Sequence, residues 1–125
     1  MAGRRETGDE AERRAEAWLV ARGYRVLDRN HATRAGEVDL VCRDGDVLCF
    51  VEVRSRSRDG HGSPEESVDR RKSLRVVAAA TDWARRHGAL HDEIRFDVVA
   101  VTGAGPGARL ELFQGAFDAA GGDPG

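Results

Sequence analysis

The amino-acid sequence predicts an α/β domain in which a central mixed β-sheet is flanked by helices. Three features predict it: an amphipathic helical pattern near the start, two strand-like runs around Asp44-Gly45, and a longer helical pattern that leads into another strand. At 125 residues the chain fits one domain over 1–125, with a core at about 7–118 and a flexible glycine-rich tail at about 119–125. A chain of this size buries roughly two-thirds of the surface it exposes when unfolded.

Thr7-Gly8-Asp9-Glu10 has the spacing of a capping box, and Ala11, Ala15, Trp18 and Leu19 follow at i, i+4, i+7 and i+8. Gly23 closes this first helix after Arg22, whose charge meets the negative end of the helix dipole. Tyr24 to Leu27 begins a short strand, and a polar loop runs on through Asn30 and Arg34. Gly36 to Arg43 and Asp46 to Arg54 then read as two strands joined by a two-residue turn at Asp44-Gly45. If Arg43 pairs with Asp46, then Val38, Leu40 and Cys42 face Val51, Cys49 and Val47, and Val53 extends the same apolar side. The other side carries Glu37, Asp39, Val41 and Arg43 on one strand, and Asp46, Leu48, Phe50, Glu52 and Arg54 on the next. In that register Glu37 lies across from Glu52, with Asp39 one pair away.

From Arg54 the chain reads as a mobile basic loop through Arg56, Arg58 and His61. Ser63-Pro64-Glu65-Glu66 starts a second helix with an N-cap, a proline at the first helical position and acids in the first turn. Its pattern continues through Leu74, Val77, Ala78, Thr81 and Trp83, allows a bend near Val68, and closes at Gly88. Ile94 to Val101 is another strand, with Phe96, Val98 and Ala100 on one face. Gly103 to Gly107 is a loop, Ala108 to Phe113 adds an edge strand, and Gly121 to Gly125 frays.

Composition narrows the function classes. With 40% apolar, 34% charged and 6% aromatic residues, this is the text of a soluble globular protein with a modest core. No apolar run approaches the roughly 20 residues that cross a bilayer, so no membrane partner is expected. The amino terminus is charged and lacks an apolar signal core, which points to a cytoplasmic location. A net charge of −2 argues against a strongly basic nucleic-acid binder but allows a local basic patch. Of 20 basic residues only Lys72 is lysine. Cys42 and Cys49 lack the spacing and the companions of a zinc site, and read as two reduced, buried thiols.

Asp39, Glu52 and Glu37 form the pattern with chemical content. Carboxylates gathered on one face of adjacent strands repel, and a hard cation relieves them. Magnesium takes one or two carboxylates plus water and phosphate oxygens, and manganese suits the same ligands. Arg54, two residues beyond Glu52 on the same side, reaches the same phosphate. Such faces also occur as solvated strand edges whose ion pairs are worth less than about 1 kcal/mol. Against that stand the depletion of acids in strands and the presence of Val41, Leu48 and Phe50 on the same side, which need cover.

The motifs Gly36-Glu37-Val38-Asp39-Leu40-Val41, Phe50-Val51-Glu52-Val53-Arg54-Ser55-Arg56 and Arg95-Phe96-Asp97-Val98-Val99 together resemble the YraN-like family of the restriction-endonuclease-like, or PD-(D/E)XK, superfamily. The resemblance extends to Gly8, Glu12, Leu19, Gly23, Tyr24, Asn30, Gly62, Lys72 and Ala116-Phe117, and covers roughly residues 7 to 118. It implies a restriction-endonuclease-like single domain with Asp39 and Glu52 as metal ligands, Val53 as a ligand through its backbone carbonyl, and Mg or Mn as cofactor. It also implies that Glu12 occupies the acidic helix position that junction-resolving relatives place near the metal. The superfamily usually has lysine at position 54; the YraN-like pattern admits arginine, which can hold a phosphate but cannot act as a general base.

The implied function is that of a metal-dependent endonuclease-like protein acting on DNA or another nucleic acid. Branched DNA and a homodimer follow by analogy with junction resolvases of this fold. A non-catalytic nucleic-acid-binding module and a protein-interaction domain stay open beside it. Arg54, Arg56 and Arg58 with Arg70, Arg71, Lys72 and Arg75 are either a phosphate-binding rim or a solvated surface. His61 is a loop histidine, and Trp18 and Trp83 fall at core positions of the helices.

Overall fold

The computed structural model describes residues 7–57 and 70–122. Its elements are α1 (Gly8–Ala21), β1 (Arg25–Ala32), β2 (Glu37–Asp44), β3 (Val47–Arg56), α2 (Arg70–Arg86), β4 (Ile94–Thr102) and β5 (Arg109–Phe117). The five strands form one sheet in sequential order. Only β3 and β4 pair in parallel; the other neighbours are antiparallel, so the sheet is mixed. A parallel step needs a crossover, and α2 lies within it. The Ser63–Glu66 helix start, Arg58, His61, Gly62 and the bend near Val68 lie outside the described residues.

The first helix starts and stops on the residues whose chemistry favours those positions. Glu10 N–H donates to Thr7 Oγ1 at 3.2 Å and Thr7 N–H donates to Glu10 Oε2 at 3.4 Å, the two halves of a capping box. At the far end Gly23 has φ +96°, and Tyr24 N–H reaches back to the Leu19 carbonyl while Gly23 N–H reaches Val20, both at 3.0 Å. Arg22 caps the helix with its guanidinium 4.5 Å from the centre of the Trp18 ring. Thr7→Ala is expected to lower stability by about 1 kcal/mol in urea melts, the usual loss for an N-cap hydroxyl.

The sheet is buried on both faces. On one, Ala11, Ala15 and Leu19 of α1 cover Leu40, Cys42, Cys49, Val51, Val99 and Val101. On the other, Val76, Ala79, Ala80 and Trp83 of α2 cover Val41, Leu48, Phe50, Phe96 and Val98. The side of the hairpin that needed cover thus receives it from α2. Val38 leaves its expected face and joins the α2 cluster, next to Gly36, which packs directly on the backbone of α2. Cys42 and Cys49 are directly opposed, free and buried, and burial pushes both thiols up to about 12.

Three expectations are corrected. The loop of the β2–β3 hairpin is Gly45-Asp46, since Asp44 pairs with Val47; Gly45 has φ +59° and supplies the positive φ that this turn needs. The register therefore shifts by two residues, to Cys42 opposite Cys49 and Leu40 opposite Val51. The polar stretch after Leu27 is strand through Ala32, paired with β2 around a bulge between Val26 and Asp28, with Asn30 at φ +51°. After β5, Asp118 Oδ1 accepts from Ala120 and Gly122 N–H, and Gly121 lies against Leu74.

A buried polar network joins the hairpin end of the sheet to β4 and β5. Asp97 is fully buried, and the Arg95 guanidinium donates to Asp97 Oδ1 at 2.8 Å and Oδ2 at 2.9 Å. The Tyr24 hydroxyl donates to Asp97 Oδ2 at 3.1 Å and Gly115 N–H donates to Oδ1 at 3.0 Å. Arg95 also reaches Asp44, and Gln114 donates to the Tyr24 hydroxyl. Burial, with Asp97 alongside, pushes the Tyr24 phenol up to about 12.

Candidate active site

The carboxylates converge where β2 and β3 part. Their ladder runs from Asp44 and Val47 to Leu40 and Val51, and Asp39 and Glu52 are the residues that follow its last pair on the two strands. This corrects the expected offset, which had Glu37 opposite Glu52. Beyond the ladder the Asp39 side chain takes the place of a backbone partner: Val53 N–H donates to Asp39 Oδ2 at 2.7 Å. The Glu52 charge acts on Asp39, so the two are neighbours despite the misread register.

The electrostatics are those of crowded, partly buried acids. Asp39 is pushed from its ordinary 3.8 up to about 7, chiefly by burial and further by Glu12, Glu52 and Glu37; the Val53 amide opposes the rise. Glu12 on α1 is also raised, first by burial and then by Glu37 and Asp9, with Asn30 opposing. The expected acid on the helix therefore does belong to this neighbourhood. Glu52 is met by Arg54, Nη2 to Oε2 at 3.3 Å, with side chains 15% and 14% exposed. Arg56 lies at the end of β3, its carbonyl accepting from Gly103 N–H at 2.9 Å. Arg71 and Lys72 are exposed on α2, an element separate from the carboxylate strands.

Among the described residues no three His, Cys, Asp or Glu side chains form a ready-made cation cage. The donor set at the centre is two carboxylates, Asp39 and Glu52, with Glu12 and Glu37 near enough to act on Asp39. Two hard oxygen donors fit magnesium or manganese, which complete their shells with water and phosphate.

The raised Asp39 carboxyl has a consequence for stability. A carboxyl whose folded pKa lies above its unfolded value holds a proton in the folded chain that the unfolded chain has lost, so stability falls as pH rises between those values. For Asp39 the window runs from 3.8 to about 7. Asp39→Asn, which keeps an acceptor for Val53, is therefore expected to melt higher than wild type at pH 8 in chelator. The two should converge below the lower end of that window, a comparison that calorimetric melts check.

Residues 11–101 match the family described as "Uncharacterised protein family UPF0102". A UPF0102 protein of Anaeromyxobacter sp. (strain Fw109-5) is 64% identical over 118 residues, covering 94% of this chain and 89% of that protein. The chain belongs to the UPF0102 family. Other UPF0102 proteins are similar over nearly the whole length: 47% identity over 92% of this chain and 93% of the relative in Chromohalobacter salexigens, and 45% over 93% and 92% in Myxococcus xanthus. Among the described residues of this UPF0102 chain no helix is long and apolar enough to cross a membrane.

Sequence reasoning missed two features of this UPF0102 domain. One is the mount of Asp39 on the Val53 amide, which depends on strands parting and leaves no mark in residue spacing. The other is the Asp97 network; its one legible signal is an acid in the middle of the apolar run Phe96 to Val101, two residues after an arginine on the same face.

Proposed function

We propose that this protein is a metal-dependent endonuclease-like member of the restriction-endonuclease-like, PD-(D/E)XK superfamily, hydrolysing phosphodiesters in DNA or another nucleic acid. The observation that carries the reading is Asp39: a carboxyl held on the Val53 amide and pushed up to about 7, chiefly by burial and further by Glu12, Glu52 and Glu37 around it. Burial of unbalanced acids is unfavourable to a fold, and a site for a divalent cation gives it a chemical reason.

Asp39 and Glu52 are the side-chain ligands and the Val53 carbonyl the third protein ligand in this reading. A bound magnesium or manganese would polarise the scissile phosphate and lower the pKa of water. Fixing Asp39 Oδ2 on the Val53 amide orients the carboxylate before any ligand arrives. Glu12 contributes negative charge beside Asp39 and strengthens the attraction for a cation. Arg54 meets Glu52, and its guanidinium would take a phosphate oxygen beside the bound cation. Arg56, Arg71 and Lys72 contact flanking phosphates.

A second reading, a nucleic-acid-binding module without turnover, is favoured by one observation: the usual lysine position holds Arg54, engaged with Glu52. Incubating the protein with branched and linear DNA in magnesium or manganese separates the readings. Cleavage that stops with chelator supports the nuclease. Binding that persists in chelator with no cleavage under any divalent ion supports the module.

A further inference from the structure

The strand β1 departs from regular geometry beside the carboxylates. Asn30 has φ +51°, and among the described residues no other residue with a side chain adopts a positive φ. Arg29 pairs with Leu40 and His31 with Val38, so Asn30 and Asp39 are the residues that lie between those pairs on the two strands. The facing strand is irregular at the same place. Val38 packs in the α2 cluster and Leu40 in the α1 cluster, although residues two apart in a regular strand share a face. The alternation of β2 therefore slips at Asp39, across from a left-handed residue on β1. Backbone in that region is strained and persists where its surroundings hold it, and asparagine tolerates it better than most residues.

From this position Asn30 reaches α1. Its side-chain amide hydrogen-bonds the Glu12 carboxylate, against the rise that burial, Glu37 and Asp9 impose on that acid. One helical turn on, Glu16 accepts from the Arg29 guanidinium through both of its oxygens. Two neighbouring residues of β1 thus tie two acids of α1, but with different charge. Glu16 is neutralised by an arginine, whereas Glu12, whose charge acts on Asp39, is held by a neutral amide. Without that bond Glu12 has room to leave, since it lines, with Asn30, a cavity of about 780 Å³ between α1 and β1. Repulsion among the clustered carboxylates drives it that way.

We propose that Asn30 is a positioning residue of the Asp39–Glu52 site: its left-handed backbone and neutral amide hold the Glu12 carboxylate beside Asp39 with its charge intact, and so raise the affinity of the site for a divalent cation. The inference rests on the divalent-cation reading of Asp39 and Glu52 and adds to it a residue that binds no metal itself. A cationic side chain at position 30 would hold Glu12 equally well but cancel the charge that attracts the ion; an amide donates without doing so.

The test is calorimetric titration of manganese into the full chain and three variants near neutral pH. Asn30→Gly deletes the amide and keeps a residue that accepts φ +51° without strain, so it should unfold close to wild type. Its manganese affinity is expected to fall about tenfold, the low end of the loss for outer partners of a metal site. Glu12→Ala should lose at least as much. In the double variant, Asn30→Gly should cost nothing beyond Glu12→Ala, because Asn30 acts through Glu12; a general weakening of the fold would lower affinity in both backgrounds. The proposal is overturned if Asn30→Gly binds manganese as wild type does, or if the two losses add. A wild type that binds no manganese overturns the cation reading and this inference together, whereas a wild type that binds and an Asn30→Gly protein that binds equally well overturn this inference alone.

Discussion

Asp39→Ala is expected to lower metal-dependent cleavage by at least about 100-fold, which corresponds to about 2.7 kcal/mol of lost transition-state stabilisation. The reason is geometric as well as electrostatic. The side chain accepts the Val53 amide at the point where β2 and β3 part, so it is both a proposed ligand and the peg that sets Val53 beside it. Glu52→Gln should lose a comparable amount, because it removes the second carboxylate and frees Arg54 from its partner. Arg54→Lys distinguishes two roles. Gained activity would mean that a removable proton is wanted there; reduced binding with turnover preserved would mean that the bidentate guanidinium is a phosphate grip. The pH profile should follow Asp39: affinity for the cation strengthens as pH rises through about 7, since the ligand must shed its proton first.

Asp97→Ala is expected to be the most damaging substitution for stability, with a loss of about 3–5 kcal/mol, because it removes the fully buried carboxylate that accepts from Arg95, Tyr24 and Gly115 and leaves only Asp44 to meet the partly buried Arg95. That is a large share of the roughly 5–15 kcal/mol that holds a domain of this kind together. The midpoint of thermal unfolding should fall by more than about 10 °C. Tyr24→Phe tests the same network more gently: it deletes one hydroxyl that donates to Asp97 and accepts from Arg95 and Gln114, and should cost about 1–3 kcal/mol. Neither variant alters the carboxylates at the parting of β2 and β3, so any loss of activity should track the folded fraction.

These two carboxylates show what could and could not be read from residue order. Asp39 and Glu52 were legible because they interrupt apolar runs on two strands joined by a tight turn. The helix α1 was legible to its last residues, since capping chemistry is local: Thr7, Glu10 and Gly23 act on neighbours. The hairpin register was misread because Asp44-Gly45 is an attractive turn pair, whereas the chain puts Gly45 first and Asp46 second in the loop. The strand character of residues 28–32 was hidden because an edge strand can be held by backbone pairing to β2 while its side chains stay polar and largely exposed. The Asp97 network was not legible for a different reason. Its partners Tyr24 and Gly115 are 73 and 18 residues away, and no local pattern announces them.

The function proposed for Asp39 and Glu52 depends on a divalent cation. The most direct measurement is calorimetric titration of manganese and then magnesium into the protein and into the double variant Asp39→Ala, Glu52→Ala, with and without a short DNA duplex. The account predicts binding near one ion per site in wild type, strengthened by DNA and accompanied by proton release near neutral pH, and none of it in the variant. Absence of divalent-ion binding by wild type even with DNA present, or equal binding by the variant, would contradict the proposed metal site.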